Sequence, residues 1–182
     1  MPPFFRGRPT WLVAVAVGLA ALLASVFSEP APVPISGRAN AVDGDTLRLA
    51  GRRVRLVGID APELEQSCTD PGGAPWDCGK AARSLMAGLV HGGDVTCLPQ
   101  GHDRYGRTLA RCTAGGADIG KRVIAAGLAV ADGDYFADEA AAHAGKLGIW
   151  AGPFVQPAMW RREHNGDGGG QDLISAIRNW FR

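Results

Sequence analysis

The 182-residue sequence has no CxxC pair, no HxH and no HExxH. Its four histidines and four cysteines stand apart from one another, so neither set has the ligand spacing of a zinc site. Net charge is also scarce. Nineteen Lys and Arg face 18 Asp and Glu, and without the first 28 residues, which carry Arg6 and Arg8, 17 basic residues face 18 acidic ones. A protein held to nucleic acid by bulk charge needs many Lys and Arg contacts to phosphate, and this balance excludes that class while leaving local basic clusters open. At this length, with 46% hydrophobic and 20% charged composition, one domain with a real core is expected, but not a second full domain.

What is present begins with WLVAVAVGLAALLASVF, residues 11–27, an unbroken apolar run behind Arg6 and Arg8. At ~1.5 Å per residue it spans about 25 Å, between the length of a signal-peptide core and the ~30 Å hydrocarbon thickness of a bilayer. Residues 1–28 are therefore expected to be an export signal, either cleaved near Val26-Phe27-Ser28 or retained as a membrane anchor. Only the second case would bring the chain to a membrane. Export to a periplasmic or secreted location makes disulfides the default for Cys68, Cys78, Cys97 and Cys112. EPAPVP, residues 29–34, reads as an extended spacer. Residues 35–163 read as the folded domain, and 164–182, with HNGDGGG followed by Leu173, Ile174, Ile177 and Phe181 at helical spacing, as a Gly-rich linker and short amphipathic tail.

Within the domain, Ile35–Val42 reads as a first strand, and Thr46–Leu49 and Val54–Ile59 alternate around an Ala50-Gly51 turn as a hairpin. That hairpin returns Asp60 and Glu63 beside Asp45. Converging carboxylates repel one another unless a cation neutralises them, and hard oxygen ligands with no nearby Cys or His suit Ca²⁺, which accepts irregular shells. A strand running straight from Arg55 to Asp60 would put the two on opposite faces, so the alternation must break, and Gly58 is the expected point. Asp94–Pro99 and Arg107–Thr113 read as a second hairpin around GHDRYG. With Cys97 opposite Cys112, Pro99 falls opposite Ala110 and the loop fits, so Cys97–Cys112 and Cys68–Cys78 are the expected bridges, the latter closing the loop 65–80. Lys80–His91, stopped by Gly92-Gly93, Ala117–Ala126 and Ala137–Leu147 have helical spacing. Three strands, a helix, two strands and further helices make the order of an α+β chain: a five-stranded OB-fold barrel with about three packed helices. Taken singly, Asp45 would be a turn acid and Arg55 a solvated strand residue; their joint occurrence with Asp60 and Glu63 is what points to chemistry.

VDGDTL, RLVGIDAPE and DRYGRTLA, in that order and followed by GLAVA and KLGIW, resemble the staphylococcal-nuclease-like, or thermonuclease, family over residues 36–151. The resemblance implies an OB-fold barrel and calcium-dependent cleavage of phosphodiester bonds in DNA and RNA. It implies Asp45 and Asp60 as metal carboxylates with the backbone carbonyl of Ala61, Glu63 as general base, and Arg55 and Arg107 as phosphate-binding catalytic arginines. Arg104 and Tyr105 match a basic and an aromatic position beside the nucleotide. A further aromatic expected after GLAVA is missing; Gly133 stands in its place and Tyr135 follows two residues on, as the remaining candidate for stacking. The expectation is an exported, monomeric nuclease with low sequence specificity that prefers single strands. The alternative is an exported OB-type binding module for nucleic acid or an anionic glycan without turnover, which would need positive charge but not Glu63.

Overall fold

The computed structural model describes residues 10–26 and 32–164. The basic flank at Arg6 and Arg8, the cleavage point after Val26, the first half of the Pro-rich spacer and the tail 165–182 lie outside the described residues. Two units are present, one ending at Pro32 and one beginning at Val33. The first holds α1 (Thr10–Val26), an apolar helix of 17 residues with Trp11, Val13, Val15, Val17 and Leu19 exposed. Among the described residues, no helix is long and apolar enough to cross a membrane.

In the second unit, period-two alternation builds a barrel. Leu47 and Leu49 of β2 (Thr46–Leu49) and Val54 and Leu56 of β3 (Arg52–Leu56) turn inward, whereas Arg48 and Arg53 face solvent. β1 (Ile35–Ala41) pairs antiparallel with β2 on one side and with β4 (Asp94–His102) on the other. β2 pairs with β3, and β4 with β5 (Thr108–Ala114), both antiparallel. Parallel pairing of β3 with β5, Val54 opposite Thr108 and Leu56 opposite Ala110, closes the five strands into the expected OB-type barrel. The register of the second hairpin is the one the cysteines imply, Cys97 opposite Cys112 and Pro99 opposite Ala110. Their bridge lies in the core, with both cysteines buried and the Cα atoms 4.0 Å apart. β4 runs on past Pro99 to His102 because a bulge between Pro99 and Gly101 absorbs the proline, which has no N–H to give the ladder.

Among the described residues, four α-helices accompany the barrel where about three were expected. α2 (Cys78–Val90) buries Cys78, Ala82, Met86 and Val90, one residue every turn, against β1. It begins two residues before the expected start because the bridge Cys68–Cys78 and the short ladder of Cys68–Thr69 with Pro75–Trp76 pin that end. α3 (Ile119–Ala125) is capped by Asp118, whose carboxylate accepts from the Lys121 amide at 3.0 Å. α4 (Phe136–Ala144) ends before the predicted Leu147, and a 3₁₀ turn, Gly148–Ala151, follows. The short α5 (Pro157–His164) opens on a buried proline and escapes sequence reading at only eight residues. Leu47, Leu49, Ile59, Met86, Ile119 and Ile124 are fully buried between barrel and helices, and each contributes roughly 1.5–3 kcal/mol of hydrophobic stabilisation.

β3 stops at Leu56 rather than running to Ile59. Gly58 takes φ +81, a conformation that favours glycine, and the chain re-emerges as Ile59–Asp60 paired with Val130–Ala131. The strand's alternation is broken there, and Arg55 and Asp60 come to the same side.

Candidate active site

The turn before β2 holds the first acid. Asp43 Oδ1 accepts from the Asp45 amide at 3.0 Å, which turns the Asp45 carboxylate inward. Thr46 lies opposite Arg55 in the hairpin, so the Arg55 side chain reaches both acids at the open end. Its Nη1 donates to Asp45 Oδ1 and its Nη2 to Asp60 Oδ1, each at 2.8 Å. Asp45 Oδ1 also accepts from the Thr46 hydroxyl at 2.9 Å, and its Oδ2 from the Ala61 amide at 3.2 Å. Burial pushes the Asp45 carboxyl up to about 7; the Arg55 charge opposes this, while the Asp43 and Asp60 carboxylates reinforce it. Burial works against the charge on Arg55, but Asp45 and Asp60 outweigh it and hold its pKa above the usual value. The end of the hairpin is short of positive charge even with Arg55 in place.

Glu63 sits on a loop fixed by Gln66, which is fully buried. Gln66 Oε1 accepts from the Glu63 amide at 3.2 Å, its own amide donates to the Glu63 carbonyl at 2.8 Å, and its Nε2 donates to the Val155 carbonyl at 2.7 Å. The first turn of α2 crosses the same loop so closely that a Cβ on Gly79 would collide with the Glu63 carbonyl. Arg161 of α5 completes the cluster. Its Nη1 donates to Asp60 Oδ1 at 2.9 Å and to Glu63 Oε1 at 2.8 Å, and its Nη2 to Asp60 Oδ2 at 2.9 Å. The hydrogen bond to Asp60, opposed by partial burial and aided by Glu63, raises the pKa of Arg161.

Arg55, Glu63 and Arg161 line a cleft of about 540 Å³ together with Arg104, Tyr105 and Arg107 from the loop between β4 and β5, and with Asp43 and Arg53. Asp103 organises that loop: its Oδ1 accepts from the amides of Tyr105 and Arg107, both at 2.9 Å, and its Oδ2 from Arg107 Nε at 2.6 Å. Desolvation would raise the Asp103 pKa, but these donors prevail and lower it. Arg107 keeps its two Nη groups for the cleft. The guanidinium carbons of Arg104 and Arg107 lie 4.9 and 5.6 Å from the centre of the exposed Tyr105 ring. Tyr135 is not brought to the cleft. Its hydroxyl accepts from Arg111 and donates to Asp118 at 2.8 Å, and its ring packs on the barrel core.

Lone-pair accounting tests whether a metal fits. Oδ1 of Asp45 has two donors and Oδ2 one; on Asp60, Oδ1 has two, from Arg55 and Arg161, and Oδ2 one. Each carboxylate therefore keeps one Oδ2 acceptor position for a cation. No group of three or more His, Cys, Asp and Glu among the described residues converges as a metal cage, so the Ala61 carbonyl and water would have to complete any shell. Two hard carboxylates with spare acceptor capacity, where one acid is forced toward its protonated form, fit a hard divalent ion.

The structure brings the expected Asp45, Arg55, Asp60, Glu63, Arg104, Tyr105 and Arg107 to one end of the barrel, and beside them Arg161, Arg53 and Asp43, which sequence reading did not name. The turn-acid reading was given to Asp45, whereas in the structure Asp43 accepts the turn hydrogen bond, and nothing in the local pattern around Arg161 announces its destination.

The family described as staphylococcal nuclease homologue matches residues 53–152. A succinoglycan biosynthesis protein, ExoI, of Rhizobium meliloti is 39% identical over 139 residues, 72% of this chain and 72% of its own. An uncharacterized endonuclease of Escherichia coli is 34% identical over 155 residues, 77% of this chain and 94% of its own. A micrococcal nuclease of Shigella flexneri is 32% identical over 173 residues, 82% and 94% of the two chains.

Proposed function

The chain belongs to the staphylococcal nuclease homologue family, and on that premise we propose that it is an exported, calcium-dependent nuclease that hydrolyses phosphodiester bonds of DNA and RNA with little sequence preference. One observation carries the reading: a single guanidinium, Arg55, joins Asp45 to Asp60 while Glu63 and Arg107 face the same cleft.

Hydrolysis of a phosphodiester places extra negative charge on the phosphate oxygens as water attacks phosphorus and the ester oxygen leaves. Donors already in place there lower the barrier. Arg55 spends one N–H of each Nη on the two aspartates and retains the others, and Arg107 spends Nε on Asp103 and retains both Nη groups. Each arginine can thus be held by an acid and still donate to phosphate from a planar fork, a bidentate geometry that the compact ammonium of lysine does not reproduce. Glu63, fixed through Gln66, accepts the proton of the attacking water, a role worth ~10²–10⁴-fold in rate. A calcium ion on Asp45, Asp60 and the Ala61 carbonyl would supply further positive charge to the phosphate.

Tyr105 beside Arg104 and Arg107 offers a ring for a base and charge for its phosphate, which favours unstacked single strands over a stiff duplex. Export rests on the apolar run 11–27 and on the two disulfides, which persist in oxidising compartments; a monomer is proposed. The test is cleavage of end-labelled single- and double-stranded oligonucleotides with calcium and then with chelator. Activity that survives chelation would exclude the metal, and absence of cleavage under all conditions would exclude the nuclease.

The similarity to a succinoglycan biosynthesis protein favours one second reading, an exported OB-type binder of nucleic acid or an anionic glycan. Such a binder has use for the cleft arginines but none for a carboxylate held as Glu63 is, and the same assay separates the two.

A further inference from the structure

The span matched by the family ends at residue 152, yet α5, which follows it, sends Arg161 into the centre of the carboxylate cluster. The approach is built into the fold. The Gln66 side chain holds the Val155 carbonyl at 2.7 Å, the Thr69 amide holds the Pro153 carbonyl at 3.0 Å, and Pro157 is buried. Both hydrogen bonds come from the segment that also carries Glu63. The two oxygens of Asp60 meet the two Nη groups of Arg161 as a fork, which is the strong and directional form of the ion pair. Among the described residues, Arg161 is the only hydrogen-bond partner of the Glu63 carboxylate, and it takes Oε1, which leaves Oε2 for a water.

We propose that Arg161 is a positioning residue of this site: it fixes the Glu63 carboxylate in one orientation and shares Asp60 with the divalent cation as a tethered counter-charge. The proposal rests on the nuclease reading above. Two effects of opposite sign follow. Arg161 aids turnover by holding the base, and it weakens cation binding because its positive charge contacts a carboxylate that the cation also uses. The free acceptor position on Asp60 Oδ2 lets guanidinium and cation occupy the carboxylate together, so neither has to leave.

The experiment uses the full chain. Calcium affinity is measured by calorimetric titration without nucleic acid, and kcat and KM on a single-stranded oligonucleotide, for wild type, Arg161→Gln and Arg161→Lys. Arg161→Gln is expected to bind calcium about tenfold tighter, since one nearby positive charge is gone. Its kcat should fall by about tenfold or more while KM stays within about twofold, the signature of a misplaced base rather than lost substrate contact. Arg161→Lys restores charge without the fork, so its calcium affinity returns toward wild type while kcat stays low. A residue that merely stabilised the fold would lower calcium affinity and turnover together. Unchanged or weaker calcium binding in Arg161→Gln, or wild-type kcat in both variants, overturns the proposal. Should the glutamine variant not fold, wild-type kcat in the lysine variant alone overturns it. Wild-type protein that binds calcium yet cleaves nothing would instead defeat the nuclease reading, and the titration of Arg161→Gln would still decide the counter-charge at Asp60.

Discussion

Asp45 is buried beside two other acids, and its carboxyl is pushed from 3.8 up to about 7. The folded metal-free protein therefore holds that proton more tightly than the unfolded chain does. The contribution to stability is full below about pH 4 and is lost as pH rises through about 7. At ~1.4 kcal/mol per pKa unit, the loss between about pH 5 and about pH 8 is on the order of 2–3 kcal/mol. Asp45→Asn keeps the shape and removes the titration. It also gives up acceptor capacity toward Arg55 or the Ala61 amide, at a cost of ~1–3 kcal/mol that does not depend on this titration. The cost cancels when the variant is compared with wild type at two pH values. In chelator, urea unfolding should show the stability of Asp45→Asn relative to wild type shifting in favour of the variant by roughly 2–3 kcal/mol from about pH 5 to about pH 8. Calcium should then move the difference back toward wild type, which gains about 2.7 kcal/mol at a hundredfold excess over its Kd while the variant, short of a ligand, gains little. A difference between the two proteins that stays flat with pH would refute the electrostatic account of this cluster.

Glu63→Gln should fold and bind calcium, yet lose ~10²–10⁴-fold in turnover, because it keeps the shape of the base and removes its proton affinity; wild-type cleavage rates in that variant would remove Glu63 from the mechanism. Arg107→Lys should cleave at least about tenfold more slowly, since an ammonium lacks the planar fork that holds Asp103 through Nε and offers both Nη groups to phosphate; equal rates would leave Arg107 a surface charge. Replacing the Cys97–Cys112 pair should lower the melting temperature more than replacing Cys68–Cys78, because the first bridge ties two barrel strands inside the core, at ~2–5 kcal/mol for a native bridge. Loss of Cys68–Cys78 should show instead as slower cleavage, through the Glu63 loop that α2 holds; melting data in the reverse order would contradict that assignment.

The residues that sequence reading found are those whose partners are close in the chain or fixed by strand alternation. Thr46 opposite Arg55, and Cys97 opposite Cys112, follow from hairpins whose inward positions are apolar, since a slip of one residue would turn the core outward. Gly58 was readable as the break because a straight strand would have separated Arg55 from Asp60, and only glycine accepts the left-handed turn readily. Arg161 was not readable. It is about a hundred residues from Asp60 in the chain, and its path depends on a buried glutamine meeting a backbone carbonyl, a contact that leaves no periodic trace. Tyr135 illustrates the opposite failure. It was available by position for base stacking, but Arg111 and Asp118 compete for its hydroxyl, and neither is near it in sequence.

The parallel seam between β3 and β5 has a consequence for how the chain acquires its shape. Val54 must find Thr108, 54 residues later, before the barrel has a closed wall. Every other barrel pairing can form with its partner while that seam is open, but until then one side of β3 and one side of β5 present bare amides and carbonyls to any strand nearby. Closure of so long a segment is entropically slow, as is that of β1 onto β4, whose partners Ile35 and Cys97 are also far apart in the chain, and the barrel keeps open edges until both have formed. The barrel is thus sealed by two long-range pairings and not by its local hairpins alone.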